Sequence, residues 1–197
     1  MKRSILIPIL TILLIGALLL GASFGLKDLA AANAQKHHLW LMQTLLPGSE
    51  TFVREPYSGE DANIRSVHKA ENGFVIETVT QGYAGEISML IGVSKEGKVT
   101  GLTVLEMHET FGLGANALND HVFLSQFLNK DGSFAIGTAG EDAFSGATGT
   151  TTDDNSTYVD GITGATVTSK AIARCVNSAI GYVTGADVDS GATSWGG

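Results

Sequence analysis

The 197-residue chain carries a formal charge of −8, or −10 once Lys2 and Arg3 at its start are set aside. An acidic surface of that kind excludes nucleic acid and anionic membrane faces as electrostatic partners. Its single cysteine, Cys175, excludes an intramolecular disulfide and a four-thiolate iron–sulfur cluster within the chain, so any redox role needs a bound cofactor.

The first element is an uncharged run, Ile5 to Phe24. As a helix it would span roughly 30 Å, the thickness of a bilayer's hydrocarbon core. Lys2 and Arg3 precede it, which predicts a cytoplasmic N-terminus and an outward-facing remainder. A cleaved signal peptide with Ala32-Asn33-Ala34 as its processing site is the competing reading. The apolar run is longer than a signal core, and Lys27 and Asp28 separate it from that site, so an anchor is preferred.

Leu29 to Leu46 reads as a helix stopped by Pro47-Gly48. The adjacent His37 and His38 on it have poor metal-ligand spacing and read as a solvated face. Residues 50–68 read as irregular. Strand patterns follow over Gly73–Thr80 and over Glu86–Ser94, where Ile87, Met89, Ile91 and Val93 share one face. Lys95-Glu96-Gly97-Lys98 reads as a hairpin turn into a third strand over Val99–Met107. Ala115–Leu128 is expected to be a helix, and Gly137–Tyr158 a long surface loop rich in Gly, Ala, Ser, Thr and Asp.

The final helix is announced by Ile172, Val176, Ile180 and Val183 at helical spacing, with Ala171, Cys175 and Ala179 alongside. Cys175 on that stripe reads as a buried, inert thiol. Together these elements predict an α+β fold, an antiparallel sheet with flanking helices, preceded by a single N-terminal transmembrane helix. The expected segments are an anchor over 1–26, an extracytoplasmic domain over 27–186 and a flexible tail over 187–197. A Rossmann site is not supported, because no βαβ unit carries a Gly-x-Gly-x-x-Gly turn. No spacing marks a Ser-His-Asp triad or a metal cluster, so no catalytic residue is assigned within the chain.

The chemistry concentrates where that helix begins, in Asp160-Gly-Ile-Thr163-Gly164-Ala165-Thr166-Val-Thr168-Ser. A hydroxyl stands on a tight glycine turn at a helix start, where unpaired N–H groups and the helix dipole favour an anion. The small Gly164 and Ala165 let a bulky phosphorylated ligand approach the main chain. These properties identify an anion site without naming the anion. The pattern occurs three times, also as Asp142-x-x-Ser145-Gly-Ala-Thr148 and Asp187-x-x-Ser190-Gly-Ala-Thr193. Only the middle copy feeds an amphipathic helix, so the outer two read as small-residue loop sequence.

The wording of the middle copy resembles the flavinylation sequence of the FMN-binding domain shared by the G-type subunit of Rnf complexes and the C-type subunit of Nqr complexes. Upstream, Glu109-Thr110-Phe111-Gly112-Leu113-Gly114 is similar to that family's Glu-Thr-Pro-Gly-Leu-Gly loop, with Phe111 in place of proline. Gly82-Tyr83 before the hairpin and the Leu46-Pro47-Gly48 helix end fit as well. The resemblance implies FMN attached by a flavin transferase through a phosphodiester to Thr166. Asp160, Thr163, Gly164, Ala165 and Thr168 would surround the attachment point. Glu109, Thr110, Gly112, Leu113 and Gly114 would lie against the flavin.

On that resemblance the chain is an electron carrier of an Rnf-type ion-translocating ferredoxin:NAD⁺ oxidoreductase, anchored in the cell membrane among other membrane and redox subunits. The Nqr counterpart and a stand-alone anchored flavoprotein are the redox alternatives. An anchored binding module without flavin is the alternative from a different class.

Overall fold

The computed structural model describes residues 2–109, 120–137 and 157–186. Contacts divide the chain into Met1–Leu41 and Met42–Gly197.

In the first unit, helix α1 (Lys2–Leu45) runs without a break through the apolar stretch, continuing into the second unit. The sequence predicts two segments here, and the structure joins them. No residue between Phe24 and Leu29 other than Gly25 disfavours helix, and one glycine costs only about 1 kcal/mol. Ile12, Leu13, Leu14, Ile15 and Leu18 are all exposed. Four consecutive residues point to every side of a helix, so α1 is apolar all round at that level. Among the described residues no helix is long and apolar enough to cross a membrane. Within the apolar run, the described side chains are those of residues 11–18 and 21.

The second unit is built on a five-stranded antiparallel sheet whose spatial order follows the sequence: β1 (Val53–Glu55), β2 (Ile64–Ala70), β3 (Gly73–Gln81), β4 (Glu86–Ser94) and β5 (Val99–Met107). The expected strands appear as β3 to β5. The segment 50–68, expected to be irregular, contributes β1 and the start of β2 instead. Alternation in β2 is interrupted by a register shift between Ile64 and Ser66. Ser66 is buried although polar, because its hydroxyl donates to Glu77 Oε2 at 2.9 Å. A sequence pattern that scores only apolar residues does not register such a strand.

One face of the sheet carries the core. Ile76 of β3, the β4 residues Ile87, Met89, Ile91 and Val93, and Val99 of β5 pack with Ile172, Cys175, Val176, Ala179 and Ile180 of the last helix. The other face receives the end of α1, where Met42, Leu45 and Leu46 are buried. Gly92 and Gly101 are cross-strand partners that make room for it. A Cβ on Gly101 would lie 2.9 Å from Leu45 Cα, and one on Gly92 would strike the Leu45 carbonyl. The Thr100 hydroxyl donates to that same carbonyl, giving an acceptor of the last helical turn a partner.

Beyond β5, the described part of the expected helix over Ala115–Leu128 is α2 (His121–Ser125), which starts only after Asp120 and gives way to turns at Gln126, while 110–119 lie outside the described residues. Asp120 ends it on the N-terminal side, accepting from Val122 and Phe123 N–H groups at 2.9 and 3.0 Å. Two short strands follow, β6 (Phe134–Ile136) and β7 (Thr157–Val159), paired in parallel as a second sheet. They correct the expectation of one antiparallel sheet, and β7 takes Tyr158 out of the expected loop. Three residues apiece are too few for periodicity to reveal. The rest of that loop, 138–156, and the tail 187–197 lie outside the described residues. The chain's last described element is α3 (Thr166–Thr184), with the predicted stripe buried except for the half-buried Val183.

Candidate functional site

The turn between β7 and α3 carries Asp160, Thr163, Gly164, Ala165 and Thr166 in one short span. Gly164 has φ 81°, a left-handed conformation that costs glycine nothing and other residues about 1 kcal/mol or more. That backbone reversal lets Ala165 N–H donate to the Ile162 carbonyl at 2.9 Å, closing the turn just before the helix starts. Ala165 occupies the N-cap position and has no side chain to cap with. The first-turn amides of α3 therefore receive no capping oxygen from this residue. Thr166, the first helical residue, is exposed, as are Asp160, Thr163 and Gly164. A hydroxyl open to solvent, an uncapped helix start and a backbone free of bulk coincide here.

Two side chains that sequence reasoning missed hold this turn in shape. The buried Ser169 hydroxyl accepts from Ile162 N–H at 3.2 Å and donates to the Ala165 carbonyl at 2.9 Å. Ser169 stands four residues beyond Ala165, so helical spacing alone could have suggested it. Gln126 follows α2, and its side-chain amide takes both backbone groups of Asp160. No local signal links two residues 34 positions apart. Gly161 packs closely under the turn, where a Cβ would meet Ile136 Cγ2 at 2.5 Å.

Thr168 lies in the first turn of α3 and is buried at 1% exposure, and its Oγ1 has no hydrogen-bond partner. Such a hydroxyl is costly unless something supplies the missing bond. At Glu109, Oε1 accepts from Tyr83 N–H at 2.7 Å while Oε2 is buried without a partner. The small Gly82 allows that carboxylate to approach, since a Cβ there would collide with Glu109 Oε1. Glu109 therefore keeps a spare acceptor at the end of β5. Thr110, Gly112, Leu113 and Gly114 lie outside the described residues.

Glu109 and α3 meet the sheet at the same end. Arg174 Nη2 donates to the Gln81 carbonyl at 3.2 Å, one residue before Gly82. Tyr182, further along α3, stacks edge-on with Phe74 at the opposite end of β3. Helix and strand thus run antiparallel, and the start of α3 lies towards the end of the sheet that holds Gly82, Tyr83 and Glu109. His108 there is exposed, 4.0 Å from Glu106, with no buried partner that would mark it as a proton donor.

Cys175 is fully buried, and burial pushes its thiol up to about 12. The Thr78 hydroxyl opposes that shift without reversing it. The thiol remains protonated at neutral pH and has no path to a reagent, which excludes a thiolate role. Among the described residues no group of His, Cys, Asp and Glu is placed to hold a metal ion.

An uncapped helix start beside an exposed hydroxyl, with unpaired polar atoms nearby, fits a phosphorylated ligand that carries further hydrogen-bonding groups. The chain is similar to several known proteins. The chain is 38% identical over 109 residues to the G-type subunit of the Na⁺-translocating ferredoxin:NAD⁺ oxidoreductase complex of Acetobacterium woodii, covering 55% of this chain and 47% of that one. It is 30% identical over 155 residues to the G-type subunit of the ion-translocating oxidoreductase complex of Methanosarcina acetivorans, covering 73% of each. The chain spans about half the length of the first curated relatives it matches, 47% and 53%. Among solved structures, the C-type subunit of the Na⁺-translocating NADH-quinone reductase from Parabacteroides distasonis aligns with TM-score 0.44 and 26% identity, over 61% of this chain and 60% of that one. Residues 82–181, just over half of the chain and the stretch holding the Glu109 corner, the glycine turn and most of α3, match the FMN-binding domain, and the chain belongs to that family.

Proposed function

We propose that this chain is the electron-carrying subunit of an Rnf-type, ion-translocating ferredoxin:NAD⁺ oxidoreductase, with FMN joined through its phosphate to the Thr166 hydroxyl. The observation that carries this reading is the exposed Thr166 at the uncapped start of α3, directly after the left-handed Gly164. The relatives from Acetobacterium and Methanosarcina, both named as the G-type component of their complexes, support the Rnf assignment over the Nqr one.

Thr166 acts as the nucleophile in attachment, and its partner must be an activated flavin phosphate such as a flavin adenine dinucleotide. The Thr166 oxygen–phosphorus bond forms, the pyrophosphate bond breaks, AMP leaves and the hydroxyl proton passes to solvent. No electron moves in that step. The phosphodiester retains one negative charge, which the first-turn amides of α3 and the helix dipole stabilise. Gly164 and Ala165 leave room for the linkage, and Thr163 borders it. Asp160 presents its carboxylate to the transferase. The Thr168 hydroxyl and Glu109 Oε2 offer a hydrogen-bonding group and an acceptor to the ribityl chain and the ring. Bound FMN supplies the capacity to accept and release one or two electrons. The chain itself binds and orients without turning over a substrate.

Residues 1–26 anchor the subunit by a single span, with Lys2 and Arg3 holding the N-terminus in the cytoplasm. Support comes from the unbroken helix over the apolar run and from its all-round apolar surface at Ile12 to Ile15, the character of a helix made for lipid. The following domain then faces outward, where a covalent tether keeps FMN from being lost. Its partners are the neighbouring membrane and redox subunits, and a flavin transferase during maturation.

The test is ultraviolet in-gel fluorescence of the denatured protein after export with an active flavin transferase. Wild type, Thr148→Val and Thr193→Val are expected to fluoresce, and Thr166→Val to be dark. Fluorescence surviving Thr166→Val would move the site to an outer copy. Darkness in every lane would sink the electron-carrier reading and favour an anchored binding module.

A further inference from the structure

We propose that Gln126 is a positioning residue for flavin attachment, acting through the backbone of Asp160 to present the Asp160–Thr166 turn in its reactive shape. The inference rests on the reading of Thr166 as the attachment residue. It goes beyond that reading by assigning a role to a residue 34 positions away that belongs to no part of the motif.

The parallel ladder of β6 and β7 ends at Val159, whose carbonyl accepts from Gly137 N–H at 3.1 Å. Asp160 is the first residue past it and has lost its strand partner. Gln126 supplies the next rung. Asp160 N–H donates to Gln126 Oε1 at 2.9 Å, and Gln126 Nε2 donates to the Asp160 carbonyl at 3.2 Å. A primary amide presents a donor and an acceptor side by side, as the N–H and C=O of one extended residue do, so it substitutes for a strand at a single residue. Asn177 does the same for Phe134 in the core, with bonds of 2.9 and 3.0 Å. Two amide side chains thus hold the small sheet, one at its buried start and one at its exposed exit.

The consequence is specific to the motif. An Asx turn at Asp160 would need the Ile162 N–H, which the Ser169 hydroxyl takes instead, so the Gln126 clamp on both backbone groups is what holds Asp160. From Ile162 onward Ser169 takes over, fixing the chain up to Ala165. The acidic first residue of the motif and its terminal hydroxyl are therefore held from two sides, by Gln126 and Ser169. The transferase meets a preformed turn and need not order a loop. Because Gln126 is only half-buried and lies outside the hydrophobic core, its loss is expected to disorder Asp160 without unfolding the domain.

The experiment measures the initial rate of flavin incorporation into the full chain by purified flavin transferase and flavin adenine dinucleotide, for wild type, Gln126→Ala and Gln126→Glu. Melting temperatures and hydrogen exchange at the Asp160 amide are measured in parallel. Losing both bonds in Gln126→Ala should slow transfer by about tenfold and expose the Asp160 amide to exchange, with the melting temperature nearly unchanged. Gln126→Glu keeps the acceptor and loses the donor, so its rate falls between the two. Relative to wild type at the same pH, it should recover as pH falls from about 7 to about 4.3, the ordinary glutamic acid value, where a protonated carboxyl can donate to the Asp160 carbonyl.

Wild-type rates in Gln126→Ala would overturn the inference. So would a slow Gln126→Ala whose Asp160 amide stays protected, or a Gln126→Glu defect that tracks melting temperature and ignores pH. Absence of flavin on Thr166 in the wild type would instead remove the underlying assignment, and the inference with it.

Discussion

At the scale of single residues, two of the buried polar atoms without a partner, Thr168 Oγ1 and Glu109 Oε2, belong to the candidate site. A buried unpaired hydroxyl lowers stability, and Thr168 accepts that penalty two residues from Thr166, the proposed attachment residue. Thr168→Val should therefore leave the flavin-free protein as stable or raise its stability by about 1 kcal/mol, measured as the urea midpoint, while weakening retention of the flavin's shape-dependent absorbance when loaded. A fall in flavin-free stability would show the hydroxyl already satisfied. Cys175 behaves in the opposite way, as a group closed to chemistry. Its folded value of about 12 lies above the unfolded thiol value near 8.5, so the native state holds its proton more tightly. Its contribution is fully present below about pH 8.5 and is lost as pH rises towards 12. Urea midpoints should drop from pH 8 to pH 10 in wild type and less steeply in Cys175→Ala. The native thiol should also resist a disulfide reagent at pH 8 and react only after unfolding.

At the scale of elements, the parts legible in the sequence were those whose signal is local. The bounds of β4 and β5, the buried stripe of α3 and the turn at Gly164 depend on neighbours within a few positions, and each stood where its pattern put it. β2 escaped because a register shift breaks its alternation and a buried serine stands in its inner row. β6 and β7 escaped because their pairing joins segments more than twenty positions apart. The same distinction divides the site. Asp160 to Thr166 could be picked out from the sequence, whereas Gln126 could not. Another non-local contact is the seat of Leu45 on Gly92 and Gly101, and it yields a sharp expectation. Gly101→Ala puts a methyl group against the Leu45 backbone, which cannot swing aside as a side chain would. It should cost about 1–3 kcal/mol in a thermal melt, whereas Gly132→Ala, with open space around it but a positive φ, should cost about 1 kcal/mol.

At the scale of the whole molecule, the second unit begins at Met42 and takes the last helical turn of α1 into its own interior. A chain starting at Met42 should melt cooperatively at the temperature of the full protein. One starting at Gly48 lacks the buried Met42, Leu45 and Leu46 and should lose about 4 kcal/mol or more, since each buried apolar side chain is worth about 1.5–3 kcal/mol. Equal melting of the two would show that the end of α1 covers the sheet without supporting it. The helix that completes the core is also the last described element of the chain, and the Asp160–Thr166 turn is its first residue and the six before it. During synthesis the five strands emerge first, each pairing with the one just made, while their inner face waits for α3. The hydroxyl of Thr166 acquires its surroundings only when that helix closes over the sheet, so under the proposed attachment the chain would become a substrate for flavin only once α3 has packed.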